Sequence, residues 1–133
     1  MTHAEGLLDT SVFIASESGR QLRRESLPTE VAVCVVTVAE LRAGVLAARD
    51  TATRARRLQT LDQVSRLAPL PIDGTAAAVW ADLRVRLAEA GRRLNVNDLW
   101  IASVAVANGL PLFTQDADFD PLSDLGGPEV VRV

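Results

Sequence analysis

Four acidic residues recur at the same kind of place in this chain, where an apolar run gives way to a polar or helical one. Asp9 ends Gly6-Leu7-Leu8, Glu40 follows the run Val31 to Val38, Asp98 opens the stretch Leu99 to Ala107, and Asp116 lies just past Leu112-Phe113. In alternating strands and helices, such positions fall at the carboxyl ends of parallel strands or in the first turn of the next helix, where open α/β sheets place their sites. Carboxylates gathered without lysine or histidine are electrostatically costly, whereas a hard divalent cation neutralises them and takes their oxygens as ligands. The four acids therefore read as one metal site, with Mg2+ or Mn2+ as the natural ion. Each also has a local reading: Asp9 as cap of the first helix, Glu40 as partner of Thr37 in a capping box, Asp98 as complement to a helix dipole, and Asp116 and Asp118 as turn residues.

Composition removes several competing chemistries. All 14 cationic side chains are arginine, so a Walker A lysine, a phosphoacceptor-aspartate enzyme of the usual kind and Schiff-base catalysis are excluded. A phosphohydrolase with Asp9 as nucleophile also lacks its second aspartate, Ser11 standing in that place. His3 is the only histidine, in a terminus expected to fray, so no Ser/His triad or histidine zinc site can be assembled. Cys34, the only cysteine, lies in a strand-like run and reads as buried packing. The net charge is -3, yet the arginines cluster at Arg20, Arg23 and Arg24, at Arg54, Arg56 and Arg57, and at Arg84, Arg86, Arg92 and Arg93. A basic strip can coexist with an acidic centre, although each cluster also suits a solvated helix face.

The elements that must position the acids follow from periodicity. With 133 residues and 48% hydrophobic content the chain suits a single domain spanning residues 1–133. No apolar stretch reaches the roughly 18 residues of a membrane span, and Met1-Thr2-His3-Ala4-Glu5 lacks the basic flank of a signal peptide, so a cytoplasmic protein is expected. Leu7 to Asp9 reads as a short buried strand, followed by a helix from about Ser11 to Arg24. Val31 to Val36 reads as a β-branched strand, and Thr37 as the start of a helix reaching about Arg49-Asp50. Another helix begins near Thr51, its stripe formed by Leu58, Leu61, Val64 and Leu67. Leu70 to Ile72 reads as a short strand, and Val79, Trp80, Leu83 and Leu87 mark a helix from about Gly74 to Gly91, with Trp80 in the core. The stretch from Val96 to Ala107 is apolar around most of its circumference and reads as a buried helix stopped by Asn108-Gly109, with Asp98 in its first turn. Pro111 to Thr114 and Val130 to Val133 complete the strands, the last at an edge.

Four ordered segments carry a family resemblance: Leu7-Leu8-Asp9-Thr10-Ser11-Val12, Thr37-Val38-Ala39-Glu40-Leu41, Asn97-Asp98-Leu99-Trp100-Ile101-Ala102 and Thr114-Gln115-Asp116-Ala117-Asp118-Phe119. Together they resemble the motifs of the PIN-domain nucleases over nearly the whole chain. Size, motif order and Glu40 to Gly44 look most like VapC toxins, the ribonuclease half of bacterial type II toxin-antitoxin pairs. The resemblance implies a PIN-like three-layer α/β/α domain with a central parallel sheet, a Mg2+ or Mn2+ site and RNA hydrolysis. Asp9, Glu40, Asp98 and Asp116 match the family's acidic positions, and Asp118 a neighbouring acid of some members. Gln115 stands where many relatives have arginine, and Ala117 where a charged residue is common.

A metal-dependent hydrolysis follows from the clustered acids, with one or two ions activating water and stabilising charge on the scissile phosphate. Asp9 is expected as the shared ligand, Asp98 and Asp116 on separate sides, and Glu40 acting through water. Thr10, Ser11 and Thr114 are candidates to orient the carboxylates, while helix capping explains Thr10 and Ser11 equally well. Single-stranded or looped RNA is the expected substrate, with Arg20, Arg23, Arg24, Arg92 and Arg93 as candidate phosphate contacts. The resemblance also implies a VapB-like antitoxin whose tail covers the site, and homodimerisation. The alternative reading is a catalytically silent PIN-like protein-binding module, against which the retention of all four acids argues.

Overall fold

The computed structural model describes residues 3–133; Met1 and Thr2, part of the N-terminal segment read above, lie outside the described residues. Four strands, β1 (Glu5–Leu8), β2 (Glu30–Ala32), β3 (Leu112–Thr114) and β4 (Val130–Arg132), form one sheet in the order β2-β1-β3-β4. Every pairing is parallel. Five helices flank it: α1 (Thr10–Ser18), α2 (Val35–Ala47), α3 (Thr51–Ser65), α4 (Gly74–Glu89) and α5 (Val96–Ala107). This is the expected PIN-like α/β/α arrangement.

Alternation along the central strands feeds a core on each face. Leu7 and Leu112 pack with Leu83, Leu87, Leu99, Ile101 and Val104 of α4 and α5. Their neighbours Leu8 and Phe113 point the other way and pack with Val12 of α1 and with Val133. Gly6 is required where β1 passes Phe113, because any side chain there would run into that ring. Aspartates and an asparagine start three helices by accepting backbone N–H bonds: Asp50 from Thr53 (2.8 Å), Asp73 from Ala76 (2.9 Å) and Asn95 from Asn97 (2.9 Å). Among the described residues no helix is long and apolar enough to cross a membrane.

Several expected boundaries shift for identifiable reasons. α1 ends at Ser18, not near Arg24, because Gly19 takes the left-handed conformation (φ 75°) and closes the helix. The strand expected over Val31–Val36 stops at Ala32, and the helix expected from Thr37 begins at Val35, capped by Cys34. There Thr37, Leu41 and Val45 are buried at helical spacing, so tertiary packing overrides the β-preference of Val35 and Val36. Leu70 contributes a single bridge to Cys34 instead of a strand. On α3 only Leu61 and Val64 are buried, while Leu58 is 45% exposed because a three-residue repeat drifts off a face whose period is about 3.6; Leu67, 39% exposed, lies past the end of the helix at Ser65. His3 does not fray: its carbonyl accepts a hydrogen bond from the Thr29 N–H (3.2 Å) and its ring meets Phe113 edge-on at 5.5 Å. Trp80 is half-buried and stacks on Trp100 at 4.8 Å.

Candidate active site

The connections deliver the acids to one end of the sheet. Asp9 immediately follows β1, Asp116 lies two residues beyond β3, and Asp98 occupies the first turn of α5. α5 runs back along the sheet into β3, which places its N-terminus at the carboxyl end of the strands. Glu40 projects from the middle of α2, six residues into the helix.

Asp9 is 4% exposed and takes part in a hydroxyl network. Its Oδ2 accepts from Ser11 Oγ (2.7 Å) and from Thr114 Oγ1 (3.1 Å). Thr114 Oγ1 also lies 3.2 Å from Asp116 Oδ1, so one hydroxyl bridges two carboxylates. Ser11 Oγ in turn accepts the Gln115 N–H at 3.1 Å, which locks the β3 exit onto the start of α1. Asp9 makes no side-chain cap bond to α1, so its capping role is not realised. Burial pushes the Asp9 carboxyl above its ordinary range, and the Ser11 and Thr114 hydrogen bonds oppose that rise.

Glu40 is held by a second pair of hydroxyls. Thr10 Oγ1 donates to Glu40 Oε1 at 2.7 Å and lies 2.9 Å from Thr37 Oγ1 in a buried contact. A hydroxyl has one proton. Because that of Thr10 goes to Glu40, Thr37 must donate to Thr10, which sets the direction Thr37 to Thr10 to Glu40. The capping-box reading of Thr37 and Glu40 is therefore overturned: Cys34 caps the helix, and Thr37, fully buried, supports Glu40 through Thr10. Sequence reading missed Thr37 in this role, although its three-residue offset from Glu40, which places both on one helix face, was the available signal.

Asp98 reports on the whole cluster. Its carboxyl is pushed up to about 7, first by burial and then by the negative charges of Asp9, Asp118, Glu40 and Asp116. Asp118 sits at the exposed rim; its carboxyl is raised by partial desolvation, then by the charge of Asp116 and a hydrogen bond to it, and Arg132 opposes the rise. All five expected acids thus share one field. The two ion pairs among the described residues, His3 with Glu129 and Arg86 with Asp82, involve none of them. Nor do any three acidic, histidine or cysteine side chains among the described residues close into a ready-made cage. The arrangement is an open set of hard oxygen donors that, among the described residues, forms no ion pair with a protein cation, Arg132 acting only on Asp118 at the rim.

The arginines divide around this centre. Arg20, Arg56 and Arg57 line a hollow that also contains Glu40 and Ile14. Arg92 is tied to the segment after the acidic loop, donating to the Pro121 and Ser123 carbonyls at 3.3 and 2.8 Å. Gln115 donates from its amide to the Val133 and Gln21 carbonyls and anchors the loop.

The PIN domain family profile matches residues 6–125. Among characterised proteins, the chain is 56% identical over 132 residues to Ribonuclease VapC5 of Mycobacterium tuberculosis, covering 99% of this chain and 98% of that protein. It is 42% identical over 133 residues to Ribonuclease VapC4 of the same organism, covering all of both. Its fold superposes on a chain in the crystal structure of VapBC-5, a member of the VapBC family of toxin-antitoxin systems from Mycobacterium tuberculosis. The TM-score is 0.90 at 53% identity, covering 98% of this chain and 99% of that one. The chain belongs to the PIN domain family, in its VapC branch.

Proposed function

We propose that this chain, acting as one domain over residues 1–133, is a metal-dependent endoribonuclease toxin of the VapC type, neutralised in the cytoplasm by a VapB-like antitoxin. The observation that carries the reading is the gathering of Asp9, Glu40, Asp98, Asp116 and Asp118 at one end of the sheet, Thr114 touching both Asp9 and Asp116, with no ion pair to any of them among the described residues. The relatives named Ribonuclease VapC5 and Ribonuclease VapC4 support the RNA-cleaving class, and the VapBC-5 likeness supports the antitoxin partner. A homodimer in which each subunit carries one antitoxin is part of the same reading.

The donor set suits Mg2+, or Mn2+, because it consists of carboxylate oxygens and the nitrogen and sulfur ligands that favour zinc are missing from it. Asp9, Asp98 and Asp116 would hold the ion, with Glu40 and Asp118 alongside. When bound, the ion supplies Lewis-acid stabilisation of the charge that builds on the scissile phosphate. The chain's own groups perform the remaining tasks. Ser11 and Thr114 fix Asp9 Oδ2, and the Thr114 hydroxyl, 3.2 Å from Asp116 Oδ1, sits between the two carboxylates with one proton that either can accept. Thr10 occupies Glu40 Oε1, which leaves Oε2 to accept a proton from the attacking water. The substrate is single-stranded or looped RNA, since paired strands obstruct close approach of one phosphodiester to recessed carboxylates.

The test is cleavage of total RNA by purified protein with Mg2+ or Mn2+, with chelator, and with Asp9→Asn. Discrete fragments that disappear with chelator and with the variant are expected. Fragments that persist in both would refute the metal-carboxylate assignment, and no cleavage with either ion would leave the binding-module reading in its place.

A further inference from the structure

A hollow of about 340 Å³ lies where the end of α4 turns into α5. Its floor is apolar, formed by Leu87, Leu94 and Leu99, and the exposed Val85 and Arg84, Arg92 and Arg93 surround it. No acidic residue lines it, in a chain whose net charge is -3.

Two of the three guanidinium groups are held in place by neutral partners. Arg84 lies over the Trp80 ring at 5.4 Å, and Trp80 is itself stacked on Trp100. Arg92 is fixed by the two backbone carbonyls of Pro121 and Ser123. Aromatic and carbonyl partners orient an arginine without cancelling its charge. The contrast is Arg86 on the same helix, which pairs with Asp82 at 3.2 Å. Among the described residues none of Arg84, Arg92 and Arg93 forms an ion pair, so the hollow carries unpaired positive charge around its apolar floor.

Its place in the fold connects it to the acids. Leu99 in the floor directly follows Asp98, and Trp100, which supports the Arg84 stack, comes next. The α4–α5 turn lies at the carboxyl end of the sheet because α5 starts there, and Arg92 grips the segment that continues from the Asp116–Asp118 loop. We infer that this hollow receives a nucleotide of the RNA strand flanking the cleaved bond, with its phosphates on Arg84 and Arg93 and its ribose or base on the apolar floor. This rests on the ribonuclease reading above and assigns it one flank of the substrate track. A polyanion supplies the complementary charge, and a volume of this size accommodates a unit as large as a nucleotide.

The experiment measures binding of a mixed-sequence single-stranded RNA 20-mer in chelator, which stops cleavage, over a range of salt concentrations. Wild type is compared with the double variant Arg84→Gln/Arg93→Gln and with Arg42→Gln, an exposed arginine two residues past Glu40 and therefore on another face of α2. Arg92 is left intact so that the loop it holds is undisturbed. Removing two phosphate contacts should weaken binding by about tenfold or more and lower the salt slope by about 1.4, with Arg42→Gln near wild type. Far-ultraviolet circular dichroism confirms that the variants fold, as expected for exposed side chains. An unchanged slope in the double variant, or an equal loss in Arg42→Gln, would overturn the inference. So would loss of antitoxin capture with RNA binding intact, which would make the hollow a protein contact. Wild-type cleavage of total RNA is scored separately, so failure of this subsite and failure of the ribonuclease reading are distinct results.

Discussion

Replacing Asp98 by asparagine should stabilise the metal-free protein while abolishing its chemistry. Asp98 stands among four other acids, and its carboxyl is moved from 3.8 to about 7 by burial and by their charges. That displacement corresponds to about 4 kcal/mol against the ionised form in the folded state. The carboxylate keeps part of its surface in water, so screening reduces the effect on stability to about 1–2 kcal/mol. Asparagine also forgoes a favourable charge in the first turn of α5, worth about 0.3–1 kcal/mol. The net gain at pH 8 is therefore about 1 kcal/mol.

The pH dependence has a definite sign. For a carboxyl raised by folding, the stability it contributes is fully present below the unfolded value near 3.8 and is lost as pH rises through about 7. The advantage of Asp98→Asn should thus be absent near pH 4, grow between pH 4 and 7, and be complete at pH 8. Urea unfolding in chelator at these three pH values measures it, with an expected midpoint shift of about 0.5 M at pH 8. Added Mg2+ should reverse the order by stabilising wild type more than the variant. A variant no more stable than wild type at pH 8 in chelator, or a difference that does not change with pH, would refute the electrostatic account of the cluster.

Other perturbations probe the supporting groups. Thr37→Val keeps the volume of a fully buried side chain but removes the proton that Thr10 accepts; kcat for RNA cleavage should fall about tenfold with KM little changed, Thr37→Ser should restore it, and equal activity of all three would show that Glu40 needs no such support. Thr114→Val removes the hydroxyl shared by Asp9 and Asp116; the midpoint of Mg2+ activation should rise by about tenfold, and an unchanged titration would count against the bridge. Gly6→Ala drives a methyl group into the Phe113 ring, so thermal unfolding should reveal a loss of about 1–3 kcal/mol; wild-type stability would mean that Phe113 repacks freely.

Much of the architecture was legible because its signals are local. Apolar runs with turn residues between them marked β1, α3, α4, α5 and β3 to within a few residues, and the absence of lysine removed whole classes of chemistry before any fold was known. The positions of Asp9, Asp98 and Asp116 after strands or at a helix start were likewise readable, since parallel α/β topology sends such positions to one end of the sheet. The boundary of α2 was not readable. Val31 to Val38 has the composition of a strand, and only burial of Thr37, Leu41 and Val45 against neighbouring elements makes its second half helical. The same tertiary contact converted Thr37 from an apparent cap into a support for Glu40, because its partner Thr10 lies 27 residues away in sequence. Residue types and spacing thus determined which acids the chain possesses and at which ends of its elements they stand. The tertiary structure alone decided that they share one field, which hydroxyl serves which carboxylate, and which arginines among the described residues have no acidic partner. Those outcomes depend on distances between segments remote in sequence, and electrostatic and hydrogen-bond energies vary steeply with such distances.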